Sequence, residues 1–255
     1  MKNSLINKVK EKFKREGLYK LTIAFLIFIF NYNKRKFHKK ILKLDSCNDR
    51  FDLIYEKNIW SSKESVSGEG SEAEYTQNLR EWLPEILTKY NIKDVVDAPC
   101  GDFNWMKLVL TKVNINYFGF DIVKGIIDKN KKFYSTNNIK FGIADICQDE
   151  LPTCDLLIVR DCLFHLSYND INRFLVNINN LEYKFLLTST HITENDFLNK
   201  DINTGDFRLI NLFKSPFCFD IKSAIERVND FPEGHSTERE MIMIKKNRVP
   251  TAVTC

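Results

Sequence analysis

Within LLIVRDCLFHLS, Leu156–Ser167, Asp161 and His165 stand four residues apart, one turn if a helix begins there. A carboxylate at that spacing can hold an imidazole in the tautomer that accepts a proton, which would make a general base. His165 also reads as a residue that packs at the start of a helix without doing chemistry. A second imidazole, His191, ends TSTHI, Thr188–Ile192. Arg160, beside Asp161, suits a carboxylate or phosphate, or simply an acidic neighbour. Three further carboxylates, Asp97, Asp121 and Asp145, each follow a short apolar run.

The elements that must carry these residues alternate. Strands are expected at Asp94–Asp97, Tyr117–Asp121, Ile139–Ala144, Asp155–Arg160, Lys184–Ser189 and Glu240–Lys245. Helical spacing falls near Trp105–Thr111, Ile122–Lys132, Asn169–Asn179 and Ile221–Val228. Upstream, Leu79, Trp82, Leu83, Ile86 and Leu87 mark another helix, which Pro84 should kink or restart. This alternation predicts an α/β fold, a doubly wound, mostly parallel sheet with helices on both faces. Such sheets take ligands outside the carboxyl ends of their strands, so the residues after each strand are the ones that matter.

After the first strand, Ala98-Pro99-Cys100-Gly101 form a turn in which Gly101 lets backbone amides approach a ligand. Asp121 follows Asp97 by 24 positions, near the spacing of about 20 at which a carboxylate holds a ribose diol. Asp97 reads either as a ligand-binding group or as a strand-end turn aspartate. Asp145 could touch an adenine amino group or cap a turn, and Ile122 and Ile146 could pack on the ring. Trp105 and Met106 are expected in the core. Within the polar SSKESVSGEGSEAEY stretch, the Ser67-Gly68-Glu69-Gly70-Ser71 loop is either a solvent linker or a lid.

Taken in order, VVDAPCGDF, YFGFDIV, IADI and LLIVRDCLFHLS resemble the successive motifs of class I S-adenosylmethionine-dependent methyltransferases, over about residues 60–245. The family's first motif reads like D-x-G-C-G-x-G; here Pro99 replaces one glycine, and Asp102-Phe103 stand where the last is expected. The resemblance implies a seven-stranded Rossmann-like sheet and S-adenosylmethionine as cofactor, with Asp97, Ala98, Pro99, Cys100, Gly101, Asp121, Ile122, Asp145, Ile146 and Arg160 around it. It also implies that Asp161, His165 and His191 converge near the transferred methyl group, with a His/Asp general base. Pro-Cys-Gly-Asp-Phe followed by Trp-Met, with ESVSGEGS upstream, is similar to a subgroup of bacteria and large DNA viruses that accompanies glycan-building enzymes. That implies O-methylation of a sugar hydroxyl; small-molecule, lipid or protein-nitrogen acceptors, and a silent binding protein of the same fold, are the alternatives.

The long segment Thr193–Phe219 suits acceptor recognition, since loops of this length are usually functional. Asn199, Asp201 and Arg208, with Asn203 and Asp206, are of the types that read sugar hydroxyls. Phe207, Phe213 and Phe217 could stack on a ring face.

The 255-residue chain is 44% hydrophobic and 28% charged, which fits a globular protein. Residues 1–43 carry thirteen Lys or Arg against two Glu, a net +11, which leaves −7 for the rest of a chain whose net charge is +4. An acidic body argues against a nucleic-acid groove. The domain is expected at 46–248, after a basic arm at 1–45 and before a tail at 249–255. The arm's apolar run, Leu21–Phe30, is short of the roughly 20 residues that span a bilayer. Flanked by lysines, it suits a helix lying on an anionic membrane surface or one packed on the domain. Seven scattered cysteines without C-x-x-C indicate reduced thiols in the cytoplasm, at the inner face of a membrane if the arm binds one. No compact ligand motif is present, so no metal is expected.

Overall fold

The computed structural model describes residues 46–253 other than Ser61 and Ser236, together with Lys40, Ile41, Lys43 and Leu44. Residues 1–44 and 45–255 are separate units, and the second holds the sheet. The Leu21–Phe30 run and the expected membrane contact lie outside the described residues. Among those described, no helix is long and apolar enough to cross a membrane.

Seven strands form one sheet: β1 (Asp94–Asp97), β2 (Asn116–Asp121), β3 (Ile139–Ile143), β4 (Cys154–Val159), β5 (Tyr183–His191), β6 (Ala224–Asn229) and β7 (Arg239–Lys245). Their order is β3-β2-β1-β4-β5-β7-β6. The first five strands run parallel, while β7 is antiparallel to both β5 and β6. The helices are α1 (Cys47–Glu56), α2 (Gln77–Lys89), α3 (Met106–Val109), α4 (Lys124–Tyr134) and α5 (Tyr168–Asn180). Successive side chains alternate across a strand, so Val95, Leu156 and Leu187 enter one core with α2. Val96, Leu157 and Leu186 enter the other with α5. Burial on both faces explains why these strands read as unbroken apolar runs.

Three expectations need correction. The segment 221–228 is not a helix: Ile221–Ser223 form a 3-10 turn and β6 follows. Its residues Ile221, Ala224, Ile225 and Val228 do fall at helical spacing, but pairing with β7 at the sheet edge satisfies their backbone instead. The helix after β1 is a single turn, α3, and both Trp105 and Met106 are buried, as expected. Pro84 lies inside α2 and does not begin a second segment. Proline has no N–H, so the Arg80 carbonyl loses its helical donor, and Lys112 Nζ donates to that oxygen at 3.1 Å.

Candidate active site

The strand order reverses at β1 and β4, and there the carboxyl ends of β1–β4 open into a cavity of about 320 Å³. Ala98, Pro99, Cys100 and Gly101 line it after β1, and Asp121 and Ile122 after β2. Asp145 and Ile146 follow β3, and Arg160, Asp161 and His165 follow β4. These are the strand-end residues that the sequence singles out, and they meet because parallel strands bring their ends to one edge.

The turn after β1 is held on three sides. Gly101 has φ of +55°, and its N–H donates to Asp121 Oδ2 at 3.1 Å. Its carbonyl accepts from Asn130 Nδ2 of α4 at 2.8 Å, and the Cys100 N–H donates to the Phe120 carbonyl at 2.7 Å. A Cβ on residue 101 would stand 2.3 Å from Ser67 Oγ, so both the dihedral and the close approach require glycine. Asp121 Oδ1 accepts from the Val123 N–H at 2.9 Å. A carboxylate offers about four acceptor sites, so Asp121 keeps capacity for a further donor. Burial pushes the Asp121 carboxyl up to about 6, against the Val123, Gly101 and Ile122 N–H groups that favour its charge.

Asp97 does not line the cavity. It lies beneath the turn, 1% exposed, accepting from Tyr117 Oη at 2.7 Å through Oδ2, while Oδ1 has no partner. Burial pushes its carboxyl to about 7.

The Ser/Gly segment is neither a free linker nor a detached lid. Val66–Ser71 form a wall of the cavity, and Asp102, next to Gly101 in the turn after β1, latches it. Asp102 Oδ1 accepts from Ser65 Oγ and Oδ2 from the Val66 N–H, both at 2.9 Å, while its own N–H donates to Ser67 Oγ at 3.0 Å. Asn104 Nδ2 adds bonds to Glu64 Oε1 and the Ser71 carbonyl. At the far end of the segment, Arg160 donates to the Gly70 carbonyl at 2.6 Å.

Arg160 spends its remaining donors within the protein. Nε and Nη2 bond Asp230, and Nη1 lies 3.2 Å from Asp161 Oδ2. Arg239 faces the same Asp161 oxygen at 2.9 Å and bonds Asp230 Oδ2 at 3.2 Å through Nε. Two arginines and two aspartates thus close a buried, charge-balanced cluster under the cavity. Burial disfavours the Asp161 carboxylate, yet Arg160 and Arg239 hold its pKa below the usual range.

That arrangement corrects the expected Asp161–His165 pair. Leu163–His165 form a 3-10 turn, not the start of a helix, so the four-residue spacing does not bring the two side chains together. His165 Nδ1 meets the Asp206 carbonyl at 2.7 Å instead. With that nitrogen donating, Nε2 is the bare acceptor. Burial lowers the imidazole pKa, so the ring is neutral near pH 7. Trp60 stacks on it with centroids 5.3 Å apart at 28°, and Phe207 lies 5.9 Å away.

The other expected residues stand elsewhere. His191 does not line the cavity: it is 2% exposed and its Nδ1 is engaged by the Ile210 backbone, where burial pushes its pKa down to about 4. Asn199 Nδ2 donates to the Asn211 and Ser215 carbonyls, and its Oδ1 accepts from the Asn211 N–H. Asp201 Oδ1 accepts the Tyr168 N–H at the start of α5. Arg208 donates to the Leu166 carbonyl at 2.6 Å. These polar groups shape the 193–219 segment and reach no part of the cavity, and Phe217 is fully buried. Phe207 alone of the segment's aromatic residues lines it. Trp60, Asp102, Asp230 and Arg239 were not singled out by sequence reading for these roles; only Asp102, within the Asp102-Phe103 pair that departs from the family motif, carried a signal.

Neither protein-family models nor curated protein sequences match the chain. Solved structures do. A S-adenosylmethionine-dependent methyltransferase from Leishmania major superposes with a TM-score of 0.59 at 16% identity, covering 83% of this chain and 91% of that one. Magnesium protoporphyrin IX methyltransferase from Synechocystis PCC 6803, with bound S-adenosylhomocysteine, gives 0.55 at 12%, covering 78% and 97%. A 1,6-didemethyltoxoflavin-N1-methyltransferase from Burkholderia thailandensis gives 0.54 at 11%, covering 78% and 86%. The chain has the fold of the class I S-adenosylmethionine-dependent methyltransferases.

Proposed function

We propose that the protein is a S-adenosylmethionine-dependent O-methyltransferase whose acceptor is a sugar hydroxyl. One observation carries this reading: the Gly101–Asp121 turn and an imidazole oriented through Nδ1 line a single cavity. The strand ends around it suit the cofactor. Asp121 has lone pairs to spare for a ribose diol, Ile122 and Ile146 offer apolar surface to a base with Asp145 at its edge, and the Gly101 turn suits the amino-acid end. A volume of about 320 Å³ lies within the range of ligand pockets, roughly 300–1,000 Å³.

When bound, the cofactor supplies an electrophilic methyl group on a sulfonium centre. His165 takes the acceptor proton at Nε2 while the Asp206 carbonyl holds Nδ1–H. The latched 66–71 wall and the Trp60 and Phe207 rings exclude water from the reacting oxygen. Asp161 stays ionised within its arginine pair and acts as fixed charge rather than as the partner of the base. The sugar rests on the resemblance of the PCGDF–WM segment; a small aromatic acceptor is the second reading, favoured by the rings beside His165.

Calorimetry with S-adenosylmethionine and S-adenosylhomocysteine tests the reading, and absence of binding of both at millimolar concentration refutes it. His165→Ala should abolish most turnover and leave cofactor affinity alone; full activity would remove His165 as base.

A further inference from the structure

We infer that the acceptor is a hydroxyl-bearing ring with an apolar face that inserts between the side chains of Trp60 and Phe207 and presents its hydroxyl to His165. The inference rests on the methyl-transfer reading and narrows its acceptor. Both rings approach the same imidazole, Trp60 at 5.3 Å and Phe207 at 5.9 Å between centroids, and both line the cavity. Both rings therefore give the cavity an aromatic lining beside His165.

Each ring is supported from behind. Phe164 meets Phe207 edge-on at 5.5 Å, and Gly68 lies against Trp60, where an added Cβ would stand 3.2 Å from the Trp60 Cβ. Support of this kind fixes a stacking surface before a ligand arrives. Phe207 nonetheless remains 53% exposed. A large aromatic side chain held in water at the mouth of a cavity is apolar surface awaiting a partner.

The polar side chains of the same segment point to the same conclusion by their employment. Asn199, Asp201 and Arg208 satisfy backbone groups, so the segment offers the acceptor a ring face and not a set of hydrogen bonds. The His165 ring makes its hydrogen bond to the Asp206 carbonyl, while Asp161, Arg208 and the Asp206 carboxylate act on it through space. A ring seated between the two aromatics needs only one hydroxyl directed inward. The C–H face of a pyranose and the plane of a phenol share this chemistry.

Saturation-transfer NMR on the full chain, with S-adenosylhomocysteine binding confirmed by calorimetry, tests the inference with methyl hexosides, catechol and the acyclic polyol sorbitol as probes. One ring class should bind and sorbitol should not; glycoside binding identifies a sugar, catechol binding an aromatic acceptor. Trp60→Ala and Phe207→Ala should each weaken that binding about tenfold, the scale of one stacked ring, with S-adenosylhomocysteine affinity unchanged. Trp60→Phe and Phe207→Tyr should restore most of it. If S-adenosylhomocysteine binds but neither ring class does, or sorbitol binds equally, or both alanine variants bind like wild type, the inference is overturned. Loss of S-adenosylhomocysteine binding to the wild type overturns the methyl-transfer reading itself, and this inference with it.

Discussion

Replacing Asp102 by alanine should open one wall of the active site while leaving the fold in place. The carboxylate accepts from Ser65 Oγ and the Val66 N–H, each at 2.9 Å. The substitution deprives a buried hydroxyl and a backbone N–H of their acceptor. A hydrogen bond to a charged group contributes about 1.5–3 kcal/mol. Asp102 is partly exposed, so water recovers some of this, and about 2 kcal/mol for the pair is the reasonable sum. The Asp102 N–H keeps its bond to Ser67 Oγ, and Asn104 still holds Ser71, so the segment loosens without being released. A cost of about 2 kcal/mol corresponds to roughly 30-fold more frequent local opening. Amide exchange at Val66 and Ser67 should accelerate by that factor, with a much smaller effect on β1 and β4. S-adenosylhomocysteine affinity should fall by no more than the same factor, and Asp102→Asn should be intermediate because an amide keeps one acceptor oxygen. Unchanged exchange at Val66 and Ser67 would show that the latch is not what holds the wall.

Asp121→Ala should weaken S-adenosylhomocysteine binding by more than about tenfold, since it removes both the expected diol acceptor and the anchor of the Gly101 and Val123 N–H groups; equal affinity by calorimetry would cancel the ribose assignment. For Asp97, the folded carboxyl is raised to about 7 from its ordinary value of 3.8, so its contribution to stability is present at low pH and lost as pH rises between those values. Asp97→Asn should remove that loss, up to about 1.4 kcal/mol for each pH unit in the window. Urea unfolding at pH 5 and pH 8 measures it, and the same slope in variant and wild type would contradict it. His191 runs the other way. Its folded pKa is depressed to about 4, so the stability present above the unfolded value near 6.5 is lost as pH falls toward 4; His191→Gln should flatten that limb. Full-length protein should sediment with anionic vesicles and lose that property without residues 1–43, whereas a full-length chain that ignores the vesicles would end the membrane proposal.

Much of this site could be read along the chain. Short apolar runs such as Val95–Val96 and Leu156–Val159, spaced by helical stretches, indicate parallel strands buried on both faces. Once the sheet is known, topology alone places Gly101, Asp121, Ile122, Asp145, Ile146, Arg160 and Asp161 at one edge. A residue's type tells what partner it needs and not which partner it finds. Asn199, Asp201, Arg208 and His191 were chosen for their hydrogen-bonding chemistry, and the fold spends that chemistry on backbone groups a dozen to over forty residues away. Asp161 and His165 are neighbours in sequence, but a 3-10 turn and two arginines from separate strand ends part them. Trp60 reaches His165 across 105 positions, a contact no local period encodes. Asp102 joins the two levels. The Asp102-Phe103 departure from the motif is legible in the sequence, and only packing of the 62–71 segment onto that turn shows that a carboxylate there closes a wall.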